Sequence, residues 1–485
     1  MILKFPFIYF CSMLKRLLGV LLVTIPASLF AQEKWDLRRS VEYALQNNIS
    51  VKQADIQARI TALQLKQAKL NLWPTAVFTA NAGEQFGRSI SPTTNQFTTS
   101  QLFFNQYQLQ GGAQIYNWGR LKHSEAAANF NTQAAFMDVE RAKNDVALNV
   151  ASYYLNVLSS KEQINIMQVQ VDLTKAKLDV TQKKVDAGAL PELNLAELQS
   201  QLATDSSNLI TARTTFEQNT LFLKALLNID MAAPFEVSTP PIESIPLEPI
   251  ADLQPDAVYQ LALNTQPQQK VNELYVKGAV ETVKSYRALM YPSITGFYGL
   301  STTYNDQAFG VIGSSVINVP VGKVNIGGVD YDVISPITQN VFGKTKYAKQ
   351  ISQNFSQNIG IALSIPIFNN GINRINYQRA KLDLLNLQQT KAQIDQTLQS
   401  NIYNAYASAI AALEKFNASN VSVASAQKAY DFASKRYEVG LLSTIDLITN
   451  QNNLLSAKLQ QLANQYDYVF KMKVLEFYKG QGIKL

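Results

Sequence analysis

Cysteine is nearly missing from this chain. Its one copy, Cys11, lies in the first 31 residues, so once that segment is removed no disulfide, catalytic thiol or lipid-bearing N-terminal cysteine remains. Histidine is as scarce: His123 stands alone, which excludes a histidine cluster for metal binding or a histidine-based catalytic triad. Beyond residue 31 no apolar run reaches the roughly 18 residues of a membrane helix, so any bilayer span there has to be made of strands. Charge of either sign is thin, at 16% of the chain. The net charge of +7 falls by three to +4 when Lys4, Lys15 and Arg16 leave with the first segment, which holds no acid. That is too little to point to nucleic acid.

What is present begins with a recognisable leader. Lys15 and Arg16, the apolar run Leu17 to Ile25, Pro26 and small residues up to Ala31 make a secretory signal over residues 1–31, cut near Ala31-Gln32. The run is too short for a comfortable membrane anchor. Far downstream, from about Ile372 to Val439, neither proline nor glycine occurs, and Ile402, Ala409, Phe416, Val423, Tyr430 and Tyr437 recur at every seventh position. That spacing keeps one seam of a helix against a neighbour. At about 1.5 Å per residue the helix is roughly 100 Å long, and it needs partners along its whole length. Gly440 can close it in the left-handed conformation, and Ser443 with Asp446 has the Ser-x-x-acid spacing that opens the next helix.

This helical hairpin occurs twice, displaced by 252 residues. Trp118-Gly119-Arg120 answers Asn370-Gly371-Ile372, Val185-Asp186-Ala187-Gly188 answers Tyr437-Glu438-Val439-Gly440, and Leu193-Asn194-Leu195 answers Ile445-Asp446-Leu447. The earlier seam is Val150, Val157, Ile164, Val171, Leu178 and Val185. A constant offset over about 110 residues marks two copies of one structural unit.

Ahead of each hairpin the period changes to two. Helices over about 36–72 and 255–290 end at Trp73-Pro74 and Tyr291-Pro292, where proline stops the helix and favours extended chain. Then Ala76, Phe78, Ala80 and Ala82 alternate with Thr75, Thr79 and Asn81, and Tyr107, Leu109, Ala113 and Ile115 with Gln106, Gln108, Gln110 and Gln114. In the second copy Ile294, Tyr298 and Leu300 alternate with Ser293, Thr295 and Ser301, and Phe355, Ile359, Ile361, Leu363 and Ile365 with Ser356, Asn358 and Ser364. Four strands of about ten residues, apolar on one face and polar on the other, fit a membrane barrel better than a soluble sandwich. Aromatic residues at both sets of strand ends, such as Trp73, Trp118 and Tyr291 against Phe86, Phe103 and Tyr304, fit its two girdles. Four strands cannot close a barrel, which needs about eight, so the chain has to oligomerise to cover its edges. The second copy's connection, about 305–354, is 34 residues longer. Its glycine-lysine pairs lack phosphate-loop spacing, and it reads as a long cell-surface loop. Prolines between the copies mark a non-helical linker.

Two copies of helix, strand, strand, long helix, glycine turn and returning helix behind a signal segment resemble the TolC family of outer-membrane efflux proteins. The likeness covers nearly the whole mature chain. Most specific is Tyr437-Glu438-Val439-Gly440 followed by Ile445-Asp446-Leu447, close to the family's Val-Gly and Asp-Val-Leu pattern. The resemblance implies an α+β membrane protein, a homotrimer whose twelve strands, four per chain, close one β-barrel continuing into a long periplasmic α-helical barrel. It divides the chain into a signal peptide (1–31), a first repeat (32–228), a Pro-rich linker (229–254) and a second repeat (255–485). Strands are expected at about 75–86, 105–117, 293–304 and 355–367, and coiled-coil hairpins at about 119–228 and 371–479. The implied function is a channel in outer-membrane lipid, the exit duct of a tripartite efflux or type I secretion system. Its partners would be a periplasmic adaptor and an inner-membrane transporter, with no nucleic acid, cofactor or metal.

In the family the periplasmic tip narrows at a tyrosine before the glycine, an arginine two residues after it and two acids on the returning helix. Tyr437 and Asp446 match the tyrosine and the first acid, whereas Leu442 and Thr449 stand at the arginine and second-acid positions. One carboxylate ring is therefore implied, and the arginine latch is missing. A threefold ring of Asp446 would attract cations and repel itself, although an acid in a first turn also suits capping. Gly188, Ala189, Leu190, Gly440, Leu441 and Leu442 are candidate tip turns and adaptor contacts, with trimer packing the other use for their apolar side chains. Gln106, Gln108, Gln110 and Gln114 are candidates for the barrel lumen. No residue constellation reads as an enzyme's. The competing function is a non-conducting helical stalk or adhesin, which has no use for four inward glutamines.

Overall fold

The computed structural model describes residues 34–90, 96–239 and 241–480; the expected signal segment lies outside them. The first copy comprises α1 (Leu37–Asn47), α2 (Ile49–Leu70), β1 (Thr75–Ile90), β2 (Phe97–Tyr116), α3 (Arg120–Asp186) and α4 (Glu192–Leu227). The second comprises α5 (Pro255–Thr265), α6 (Pro267–Ala288), β3 (Ser293–Asn305), β4 (Phe309–Ile326), β5 (Val329–Lys344), α7 (Tyr347–Gln353), β6 (Ser356–Ser364), α8 (Ile372–Glu438) and α9 (Thr444–Lys479). The duplication holds to the residue. Helices α3 and α8 are both 67 residues long and α4 and α9 both 36, every bound displaced by 252 positions. No described helix is long and apolar enough to cross a membrane.

Four stretches depart from the sequence reading. Strand β1 runs on to Ile90 and β6 stops at Ser364. Strand β2 begins at Phe97, not near residue 105, because its pairing with β1 continues past the last clear alternation to Ile90↔Phe97. The region around 305–354 is no irregular loop: β4 and β5 form an antiparallel hairpin and α7 follows. Gly327 and Gly328 turn the hairpin with φ of 64° and 93°, the two positive angles that suit the twist of a two-residue turn.

Compact units cut across the repeats. One gathers residues up to Lys52, Ala142–Thr265 and residues from Gln399; the other is Gln53–Arg141 with Gln266–Leu398. Each draws on both copies, and α3 and α8 contribute to both.

In the first unit the seam does what its spacing requires. Val150, Val157, Ile402 and Ala409 are wholly buried, and Val150, Tyr154, Val157 and Leu158 join Leu37, Leu223 and Val469 in the main core cluster. The proline-rich segment is pinned by two buried lysines. Lys224 donates to Ala233 O at 2.7 Å, and Lys473 to Pro246 O at 2.6 Å while pairing with Glu476 at 2.8 Å. Trp35 adds a parallel bridge to Val237, and the Tyr154 hydroxyl donates to Ser238 O at 2.7 Å, its pKa raised by burial.

The second unit holds a four-stranded antiparallel sheet in the order β1-β2-β3-β6. Among the described residues nothing pairs with the outer edge of β1 or of β6. Small residues let its helices close up, with Ala58 against Ala135 and Val139. His123 sits on α3 and bonds Glu281 of α6 at 2.6 Å. Burial pushes the Glu281 carboxyl up, but bonds from Lys284 and His123 outweigh it and hold the group below its usual range.

Candidate functional site

The two hairpin turns are closed identically. Leu441 N–H donates to Arg436 O at 2.8 Å and Gly440 N–H to Tyr437 O at 3.0 Å, matched by Ala189 to Lys184 O and Gly188 to Val185 O at 2.8 Å each. These crossed bonds satisfy the last carbonyls of α3 and α8 and require a left-handed residue. Gly188 and Gly440 supply it at φ 72° and 75°. Helix α9 then starts on a capping pair: Ser443 Oγ accepts from Asp446 N–H at 3.2 Å and donates to Asp446 Oδ2 at 2.6 Å.

Tyr437 and Asp446 share this turn but face different surroundings. Half-buried Tyr437 has its hydroxyl 3.1 Å from Thr181 Oγ1 and 3.4 Å from Thr444 Oγ1, so it ties α8 to α3 and α9. Asp446 is exposed: its carboxylate accepts from the hydroxyl of Ser443, which caps the helix, and still faces solvent. Thr449 is exposed too, but its hydroxyl turns back to Ile445 O at 2.8 Å. Leu442, expected at the exposed tip, is half-buried beside Tyr430, Ala433, Leu447 and Leu454, because the turn folds it under α9. Leu190 is half-buried as well, whereas Ala189 is exposed and Leu441 is 69% exposed. Val439, at 70% exposure, and Leu193 and Ile445 complete the apolar surface of the turns. Sequence reasoning passed over these three, although their repetition at an offset of 252 could have flagged Leu193 and Ile445.

Two polar assemblies behind the tip were not foreseen. Lys177, Thr181 and Lys184, one helical turn apart on α3, reach Ser434 Oγ (3.1 Å), Tyr437 Oη (3.1 Å) and Glu438 O (3.4 Å) on α8. Burial lowers the pKa of the Lys177 ammonium, partly offset by Glu438. Further back, Asp205 on α4 is 1% exposed and accepts from Thr174 Oγ1 (2.6 Å), Gln201 Nε2 (2.8 Å) and Gln170 Nε2 (3.3 Å). Gln451 of α9 donates to Thr174 Oγ1 at 2.7 Å. The layer thus links α3, α4 and α9. It has no counterpart in the second copy, where Ala426 and Ala457 replace Thr174 and Asp205.

On the sheet, register decides which residues share a face. Gln106, Gln108, Gln110 and Gln114 pair with Thr303, Ser301, Gly299 and Thr295 of β3, whose faces continue to Ser356, Asn358 and Ala362 of β6. The four glutamines therefore stand together on a polar face, interrupted by Val77 and Phe297. The opposite face carries Phe78, Leu109, Leu300, Ile361, Leu363 and Ile359, the last 89% exposed. At the helix-proximal end Trp118 holds φ 55°, packs 5.0 Å from Tyr291 and donates its indole N–H to Pro292 O at 2.8 Å. Among the described residues no cluster of three or more His, Cys, Asp or Glu could hold a metal ion.

A family model described as outer membrane efflux protein matches residues 41–228 and again 258–480. The gap between the two matches holds the proline-rich segment. No curated protein matches the chain. Among solved structures it is similar to CusC, at 17% identity, TM-score 0.74 and 92% coverage of each chain. It is also similar to the Campylobacter jejuni CmeC outer membrane channel (19%, TM-score 0.72, 92% of this chain and 86% of that one). The outer membrane protein VceC of Vibrio cholerae aligns at 15% identity, TM-score 0.71 and coverage of 92% and 97%. At these identities the likeness speaks for the fold.

Proposed function

The chain belongs to the outer membrane efflux protein family, and from that premise we propose that three copies close one barrel and act as the passive exit duct of a tripartite efflux or type I secretion system. An inner-membrane transporter would supply the energy and a periplasmic adaptor would join it to the helical hairpins. The observation that carries this reading is the sheet itself. Its four strands put glutamine, serine and threonine on one face and bare isoleucine, leucine and phenylalanine on the other, and both edges are unpaired. In lipid an unpaired edge costs several kcal/mol per backbone group. Closure onto further copies removes both edges, and twelve strands enclose a polar lumen.

At the turns, Asp446 is the candidate for a carboxylate ring, and Ala189, Leu441 and Val439 are the candidate adaptor surface. Tyr437 belongs to the packing between α3, α8 and α9, so its place at a constriction would come through positioning those helices. Native mass spectrometry of the detergent-solubilised protein should give three chains per assembly; a monomer with both edges open would overturn the duct.

A further inference from the structure

The β4–β5 ribbon has no part in the duct as described. Its register puts all of its charges on one face. One face carries Ile317, Val324 and Ile326 of β4 with Tyr331, Val333 and Ile337 of β5, and no charge. All four charged residues of the two strands, Lys323, Asp330, Asp332 and Lys344, lie on the other face, which also carries Phe309, Val311, Val316, Ile334 and Phe342. The six apolar residues are each between 36% and 62% exposed. A solvated surface loop has no reason to segregate its charges in this way, whereas a ribbon with one buried face does.

The ribbon is firmly based. Gln350 of α7, 3% exposed, donates to Asn305 O at 2.9 Å and Thr345 O at 2.8 Å and accepts from Asn305 N–H at 3.1 Å. Helix α7 lies on the apolar face of the four-stranded sheet, where Tyr347 packs 4.8 Å from Tyr304 and shares a 3.0 Å hydrogen bond with Tyr107. A two-stranded ribbon alone is marginally stable in water, so the apolar face wants a cover. This chain has little left to provide one: within the ribbon's own unit only residues 91–95, Ser-Pro-Thr-Thr-Asn, lie outside the described structure, and they are short and polar.

Other copies are placed to supply it. The ribbon joins β3 to β6, and β6 is an edge of the sheet, so in a closed barrel it rises at the boundary with the next copy. Twelve strands about 4.8 Å apart and tilted about 40° give a rim roughly 25 Å across. A 16-residue strand reaches about 50 Å, so ribbons from one rim outreach its diameter, and their shared attachment gives an effective concentration of about millimolar.

We propose that the charge-free faces of three β4–β5 ribbons pack on one another above the barrel, forming a cap over the outer mouth with the charged faces turned to water. The proposal rests on the trimeric reading, and its test separates the two. With Cys11→Ser as background no other cysteine is present. Val333→Cys and Ile337→Cys probe the apolar face, and Asp332→Cys the charged one. Oxidation of the full protein in outer-membrane vesicles should link the first two into species of twice the chain mass and leave the third unlinked. Equal linkage from both faces, no linkage at all, or linkage to a foreign protein overturns the cap. So does quenching of a bimane on Val333→Cys by spin-labelled lipid, which would place the face on the membrane. Native mass is measured in parallel: three chains without face-specific links defeats the cap alone, whereas a monomer defeats the duct.

Discussion

At the scale of single residues, the unusual investment is Asp205. Three donors from α3 and α4 converge on a carboxyl group almost sealed from water, and each buried donor left unpaired costs about 1–3 kcal/mol. Asp205→Ala should therefore destabilise the hairpin unit by about 3 kcal/mol, and Asp205→Asn, which keeps the shape and one acceptor, by clearly less. Melting of the detergent-solubilised protein measures both; an alanine variant as stable as the parent would show that water satisfies the layer. Nothing in the sequence announced it. Thr174, Gln170, Gln201 and Gln451 sit in helices where Gln, Asn and Thr fill many surface positions, and only packing tells the buried ones apart. Asp446 was more legible, because Ser443 three residues ahead marks a cap, and the capping bond from Asp446 N–H to Ser443 Oγ is present. Leu442 was misjudged for a related reason: a turn sequence does not say which of two adjacent leucines folds under the next helix.

Among elements, the helices were the easiest to read. A seven-residue seam from Ile402 to Tyr437 admits only one period, and glycine at φ near 75° leaves little choice of helix end. Around Gly188 and Gly440 a new Cβ would meet nothing within 4 Å, so alanine there suffers backbone strain without a clash. Gly188→Ala and Gly440→Ala should each cost about 1 kcal/mol, the usual penalty for a left-handed L-residue. The two turns have the same bonds, so the two thermal shifts should agree; a large loss at one turn only would mean that its glycine faces another chain. Strands were harder. Alternation located all four strands of the sheet, but β4 and β5 escaped because register shifts at Val311/Gly313 and Pro320/Gly322 break the period-two pattern along β4. The Gly327-Gly328 pair was the missed signal, since two such residues between β-branched runs mark a hairpin. The compact units were also illegible, because a repeat reports descent along the chain, whereas each unit joins pieces of both copies.

For the whole molecule, the deciding facts are the unpaired edges of a sheet with one greasy face and the family to which the chain belongs. A stalk or adhesin explains the long helices but leaves the glutamine face without a purpose, since polar side chains turned inward need water. The proposed duct would give that face a lumen and would set Asp446 carboxylates in a ring, where their concentrated charge would attract cations. The most direct test is single-channel recording of the purified assembly in a planar bilayer, with trivalent cations added on the hairpin side. Small, discrete, cation-selective steps are expected, blocked by the trivalent ion in the parent and markedly less blocked in Asp446→Asn. An assembly of three chains that shows no steps at any voltage would contradict the duct and leave the stalk standing.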